Sequence, residues 1–257
     1  MIKKLAAIYN VFDSIELLPG SMACLKDHVD LFIVVWQNTS NYGEGYYEFS
    51  KLLAPDSFAG IDLNKVHLLR YDPRVEMGGA MNERAKRVMG LDAARMMSCT
   101  HFLHIDCDEY YEDFGAARDE YLAAGSAGSV VRLWTYFKKP TLRVDRPEDY
   151  YVPFIHRIDD LTNTGTSSYP FWVDPTRTVN ISDVKLLENT WMHHYSWVRK
   201  DIGLKVRNSS AKKNLQRGTM LQDWNSPEVG PGFYVRDWQR NLVEVEDIFA
   251  LLPIFES

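Results

Sequence analysis

Cysteine is scarce in this sequence. Cys24, Cys99 and Cys107 are the only three in 257 residues, and no two stand in a CxxC spacing. An odd number leaves one thiol unpaired whatever the others do, which suits a reducing compartment and excludes a zinc site built from cysteines. Long apolar runs are missing as well. "MIKKLAAIYNVFDS" starts basic and turns apolar, but polar residues return by Asn10, too early for a signal peptide, and no run approaches membrane-spanning length. The expectation is a soluble, cytoplasmic protein with no transmembrane segment. Positive charge is not in excess: the formal net charge is -6, which excludes a surface that grips nucleic acid throughout but leaves room for local basic patches. The G-x-S-x-G elbow, the P-loop and the H-E-x-x-H helix are absent, and "YNVFDS" has none of the glycines that a dinucleotide-binding turn needs. Repeats, low-complexity tracts and Gly/Pro/Ser-rich linkers are also lacking. One domain over residues 1–257, with halves 1–137 and 138–257, is the economical reading.

What the chain does have is apolar substance: 46% hydrophobic and 13% aromatic residues can bury a large core. "KLAAIY" ends at Asn10, "DLFIVVW" (Asp30 to Trp36) at Gln37, "KVHLLR" (Lys65 to Arg70) at Tyr71 and "THFLHI" at Asp106. Short continuous runs of this kind predict buried parallel strands. Helices are expected within Ile15 to His28, near Tyr46 to Leu53, and from Ala80 to Ser98. In the last of these, Ala85, Val88, Met89 and Met96 fall broadly on one side, with Arg84, Arg87 and Arg95 on the other. The alternation predicts an α/β sheet with right-handed crossovers. The second half offers strand candidates in "GSVVRLWTYF" and "TWMHHYSW", then a partly helical basic stretch from Arg199 to Arg217, interrupted near Ser209 and Ser210.

Chemistry concentrates in "THFLHIDCDEYYED". Asp106, Asp108 and Glu109 stand so close that their charges repel unless water or a cation intervenes. Ligands of an open α/β sheet bind at the carboxyl ends of its strands, where Asn10, Asp13, Gln37, Asn38, Asp106 and Asp108 all fall. Hard cations such as Mg2+ and Mn2+ prefer carboxylate oxygens with substrate phosphates as further ligands. A solvated acidic loop is the other reading of the same residues. Cys107, between two acids, is a poor nucleophile and better suited to be a small buried spacer.

"YNVFDSIELL", "VVWQNTSNYGE" and "HIDCDE", the last after "MNERAKRVMGLDAARMM", together resemble a nucleotide-sugar glycosyltransferase of the GT-A fold, closest to the family 2-like group, over about the first half of the chain. The resemblance implies a Rossmann-like mixed, mainly parallel sheet flanked by helices, with a nucleotide-sugar-binding first half and an acceptor half that ends in a C-terminal extension. It implies a hexosyltransferase-like activity on a nucleoside-diphosphate sugar, UDP-linked, with Mn2+ or Mg2+ as cofactor. Asp106 and Asp108 would hold the metal against the donor diphosphate, with Asp106 also placed to meet the ribose or sugar. Asn10, Asp13 and Gln37 would contact the nucleoside, and Arg84 and Arg87 are candidates for a basic residue near the donor. One departure is "WQNTSN", where many family 2 members carry an Asp.

Strand alternation puts His193 and His194 on opposite faces. "HYSW" resembles the C-terminal metal-binding pattern of some GT-A enzymes, which favours His194 as a third ligand; a packed histidine is the alternative. Of the basic residues that follow, Lys205 and Arg199 are candidates to stabilise leaving-group charge; a solvated helix face is the alternative for most of them. An inverting reaction needs a carboxylate base, for which Asp174, Asp183 and Glu188 all stand in the right half; Asp108, Lys205 and Glu188 are carried forward as the catalytic set. Tyr42, Tyr46, Tyr110, Tyr111, Trp134, Tyr136 and Trp172 could stack on a base or sugar, or pack. The acceptor stays open among glycan, lipid carrier, protein and nucleic-acid base. The rival functions are a sugar-nucleotide nucleotidyltransferase, which usually opens with a glycine-rich basic loop, and a non-catalytic nucleotide- or carbohydrate-binding protein.

Overall fold

The computed structural model describes residues 2–45, 58, 60–165, 169–208 and 217–256. The helix expected near Tyr46 to Leu53 and the interruption at Ser209 and Ser210 lie outside them.

The four apolar runs of the first half form β1 (Leu5–Val11), β2 (Leu31–Trp36), β3 (Val66–Arg70) and β4 (His101–Asp106). They pair in parallel in the spatial order β4, β1, β2, β3. Every residue of β1 and β2 is buried, which is why these runs lack polar alternation. Side chains on one face, including Leu5, Tyr9, Phe32 and Val34, pack against α1 (Leu18–Leu25) and α3 (Phe114–Ala124). Ala6, Ile8, Ile33 and Val35 on the other face pack against α2 (Gly79–Met96). The result is the α/β architecture, helices on both sides of a mainly parallel core, that the sequence and its GT-A resemblance imply.

The buried face of α2 differs from the expected one. Met89 and Met96 are exposed, while Lys86, Arg87, Gly90, Leu91, Ala93 and Ala94 are buried. Close approach decides this: a Cβ on Gly90 would stand 2.2 Å from Ile8 Cγ2, so the helix meets the sheet through its smallest residue. Burying that face carries Lys86 and Arg87 inward at the helix's N-terminal half, toward the carboxyl edge of the sheet.

The second half extends the same sheet. β6 (Gly128–Phe137), β8 (Val152–Arg157) and the long β9 (Val184–Trp197) follow the short β5 (Glu109–Tyr111), with β7 (Leu142–Val144), β10 (Tyr234–Val235) and β11 (Arg240–Glu244) at the far edge. Among the described residues, strands run β10-β11-β7-β6-β8-β4-β1-β2-β3, with β9 joining β5 to β6. Antiparallel pairing of β5 with β9 sets Glu109 opposite His194 and Tyr110 opposite His193. Tyr110 and Tyr111 are therefore core residues in a strand, not loop aromatics. Phe137, Trp197, Ile202, Val206 and Met220 form a separate cluster that seats α4 (Ile202–Asn208) and α5 (Arg217–Asn225) beside the end of β9; α6 (Leu252–Glu256) closes the described chain.

Candidate functional site

Parallel register brings the site together. Asn10 stands level with Asp106, because β1 and β4 pair Leu5 with His101 and stay in step for five more residues. Gln37 follows β2, and its backbone amide donates to Val11 O at 3.3 Å. These strand ends open into a chamber of about 120 Å³ that Asn10, Asp13, Gln37, Asn41, Glu83, Lys86, Arg87, Asp106, Asp108 and Asn208 help to line. At its back, Glu83 accepts from Asn10 Nδ2 at 3.2 Å, Asn41 Nδ2 at 2.9 Å and Lys86 Nζ at 2.9 Å. Burial pushes the Glu83 carboxyl up, but Lys86 and Arg87 outweigh it and hold the group below the usual range.

Several polar atoms of this chamber are buried without a hydrogen-bond partner among the described residues: Asn10 Oδ1, Gln37 Oε1, Asn208 Oδ1, and Nε and Nη1 of Arg87. Orphaned donors and acceptors are uncommon in native interiors and costly unless a ligand or water meets them. Here they line one cavity, with acceptors at two strand ends and on the helix that ends at Asn208, and guanidinium donors on α2.

Asp106 and Asp108 lie on either side of buried Cys107, whose thiol is pushed up first by burial and then by the two aspartates. Asp106 accepts from Arg177, and Arg87 Nη2 stands 3.5 Å from both of its oxygens. Burial raises this carboxyl and the two arginines outweigh it, for a net lowering. Arg177 also donates from Nη1 to Glu109 Oε2 at 2.9 Å. Burial pushes Glu109 the other way, up to about 7, against the pull of Arg177. Asp108 accepts from Arg199, which in turn donates to Tyr195 O at 2.9 Å and Val198 O at 3.2 Å. Lys205 Nζ is 3.8 Å from Asp108 Oδ2. Burial alone would raise Asp108; Arg199, Lys205 and His194 reverse it and hold the carboxyl far below the usual range.

A second chamber, about 160 Å³, lies beyond these aspartates against Leu133, Tyr150, Tyr151, Met192, His194 and Ser196. Asp106, Asp108, Asp174 and Lys205 line both chambers. Asp174 is set by a turn in which its Oδ1 accepts from Thr176 N at 2.8 Å, and the same turn carries Arg177.

His194 faces Asp108, with Nε2 3.9 Å from Oδ1, while burial lowers the imidazole to about 4 and keeps it neutral. Two lone-pair donors thus face each other across a gap too wide for a hydrogen bond. That donor set fits a hard or borderline divalent cation, which takes one or two carboxylates and completes its shell with phosphate oxygens and water. Among the described residues, no three His, Cys, Asp or Glu side chains converge on one metal position. His193 points elsewhere, its Nδ1 2.8 Å from Tyr136 OH.

Not every expected residue is brought to the site. Glu188 is exposed and pairs with Arg132 at 2.7 Å, on the early part of β9 and away from both chambers. Asp183 caps the loop before β6, accepting from Ala127 N at 2.9 Å. Arg84 lines neither chamber; its side chain crosses Gly165, where a Cβ would stand 2.3 Å from Arg84 Nε. Arg199 is locked onto Asp108 and two carbonyls, which makes it a support for the aspartate and not a free cation. Conversely, sequence reasoning does not single out Glu83, Lys86 or Arg177. Glu83, Lys86 and Arg87 share one helical face by their spacing, a signal that is present in the sequence; Arg177 lies in a loop with no periodic signature.

No protein-family model and no curated protein matches the chain. Among solved structures it is similar to S. aureus TarS 1-349, with TM-score 0.46 and 11% identity over 83% of this chain and 66% of that one. The same fragment in complex with UDP gives TM-score 0.45 and 10% identity over 86% of this chain and 71% of that one. Mannose-1-phosphate geranyltransferase from Thermus thermophilus gives TM-score 0.33 and 15% identity over 61% of this chain and 51% of that one. The chain spans just under two thirds of TarS 1-349 and 36% of a longer TarS structure.

Proposed function

We propose that the chain is a glycosyltransferase of GT-A architecture that moves a sugar from a UDP-linked donor to an acceptor hydroxyl. The observation that supports this most is the junction: two chambers meet over Asp106, Asp108, Asp174 and Lys205, where two reactants would be held in contact. In this reading the first chamber takes the donor. The unpartnered amide oxygens of Asn10 and Gln37, with Asp13 near them, face the nucleoside, and the free donors of Arg87 meet the diphosphate. Lys205, half-buried at the junction, stabilises the charge that develops on the departing diphosphate. Asp174 takes the acceptor's proton in place of Glu188, since it is the carboxylate outside the Asp-Cys-Asp segment that lines both chambers. A divalent cation, Mn2+ or Mg2+, would be held by Asp108 and His194 with Asp106 beside them and would add positive charge at the diphosphate.

Titration calorimetry of UDP, ADP and GDP, each with and without Mn2+, tests the reading. UDP should bind, and Arg87→Ala should weaken it about tenfold or more through loss of charge-assisted hydrogen bonds. Folded protein that binds no nucleoside diphosphate under either condition would overturn it.

A further inference from the structure

The second chamber differs from the first in the character of its walls. Tyr150, Tyr151, Leu133 and Met192 give it an aromatic and aliphatic side, whereas Asp174 and Ser196 give it hydrogen-bonding groups. Two further aromatics touch the tyrosines of this side without lining the chamber themselves. Trp172 is 70% exposed and meets Tyr150 edge-on, with ring centroids 6.3 Å apart; Phe171 meets Tyr151 in the same way at 5.4 Å. An isolated exposed aromatic needs no explanation, but this one touches Tyr150, which lines the chamber. Nor is it loosely hung: Trp172 O accepts from Tyr151 N at 2.9 Å, and Tyr151 bridges Val173. The same short segment, two residues on, delivers Asp174 to the junction.

A pyranose ring has one or both faces made of C–H bonds and a rim of hydroxyls. It needs a flat apolar surface and, at right angles to it, carboxylate, imidazole or hydroxyl partners. Trp172 and Asp174 offer both within one backbone segment. A prenyl or acyl chain would need a continuous apolar groove, and this chamber is short and closes on charged groups. We propose that the second chamber is a carbohydrate subsite, with a sugar ring stacked on the exposed face of Trp172, bordered by Tyr150, so that a hydroxyl reaches Asp174. This rests on the transferase reading for its meaning as the acceptor site and narrows the acceptor to a glycan, but the binding itself requires no donor.

The test is saturation-transfer NMR on the full chain without nucleotide. The probes are the methyl glycosides of glucose, galactose, mannose and N-acetylglucosamine and their β-linked disaccharides, with farnesyl phosphate as the lipid probe. At least one pyranoside should receive saturation, strongest on the C–H protons of one ring face, and quench tryptophan fluorescence. Trp172→Ala should weaken it about tenfold, and Trp172→Tyr should restore most of the loss, since the exposed position tolerates either residue without unfolding. UDP affinity, measured in parallel, should stay the same in both variants. Binding of UDP without any pyranoside, binding of farnesyl phosphate alone, or pyranoside binding indifferent to Trp172→Ala would each overturn the subsite. Pyranoside binding without any nucleoside diphosphate would keep the subsite and sink the transferase reading instead.

Discussion

Arg199→Met is the perturbation that most directly tests how the acidic cluster is held. The side chains of Arg199 and Asp108 are 2% and 6% exposed, and the guanidinium is further tied to two backbone carbonyls. Methionine keeps much of the volume and removes the charge, leaving Asp108 ionised with only Lys205 at 3.8 Å in partial compensation. Breaking a buried pair from one side costs about 3–5 kcal/mol, and the Val198 carbonyl, which loses its Arg199 donor, pushes toward the upper end, whereas Tyr195 O keeps Val198 N at 3.0 Å. Urea unfolding at pH 7 should therefore show a large drop in midpoint with little change in slope. The pH dependence has a definite sign. Asp108 is held well below its unfolded value of roughly 3.9, so its stabilising contribution is present above that pH and is lost as pH falls below it. The gap between wild type and Arg199→Met should narrow in acid, and Asp108→Asn in the same chain should recover part of the loss at pH 7. A destabilisation under about 1 kcal/mol, or a gap that does not respond to Asp108→Asn, would refute the argument.

Asp174→Asn should lower turnover by about 10²–10⁴-fold while UDP affinity stays unchanged, and a loss confined to UDP affinity would remove it from the role of base. His101, His156, His193 and His194 are each lowered to about 4 mainly by burial, and His104 is lowered further in the same direction. Groups held neutral in the fold contribute stability above their unfolded value of roughly 6.5 and lose it as pH falls toward 4. Glu109, raised to about 7, pulls the other way as one group against five. Urea midpoints should fall between pH 7 and pH 5, and a flat profile would contradict this. Gly90→Ala should destabilise by roughly 1–3 kcal/mol despite alanine's better helix propensity, because the added Cβ strikes Ile8. A variant as stable as wild type in thermal unfolding would show that α2 shifts freely.

β1, β2 and β4 are legible because burial on both faces erases polar alternation and leaves bare runs such as "LFIVVW", whereas β3, also expected to be a buried strand, is a half-buried edge strand. Their ends are legible too, so the meeting of Asn10, Gln37, Asp106 and Asp108 follows from parallel pairing alone. The buried face of α2 is not, because hydrophobicity selects Met89 and Met96 whereas backbone proximity selects Gly90 and the site selects Lys86 and Arg87. Glu188 illustrates a different limit. β9 runs for 14 residues, so a carboxylate near its start and His194 near its end lie far apart although they are close in sequence. Arg177 is beyond reach, since only the three-dimensional return of the loop after β8 brings it to Asp106.

Arg177 meets Asp106 across 71 positions of chain, and Arg199 meets Asp108 across 91. On a ribosome that interval is roughly 4–18 s of synthesis. During it, β1 to β4 can emerge and collapse while Asp106 has Arg87 but not Arg177, and Asp108 has neither Arg199 nor Lys205. A nascent first half would therefore keep that edge hydrated and open, and the cleft would be the last part of the chain to mature. A stalled nascent chain ending before Arg177 should then be cut by protease near Asp106–Glu109, whereas one carried past the end of α4 should resist.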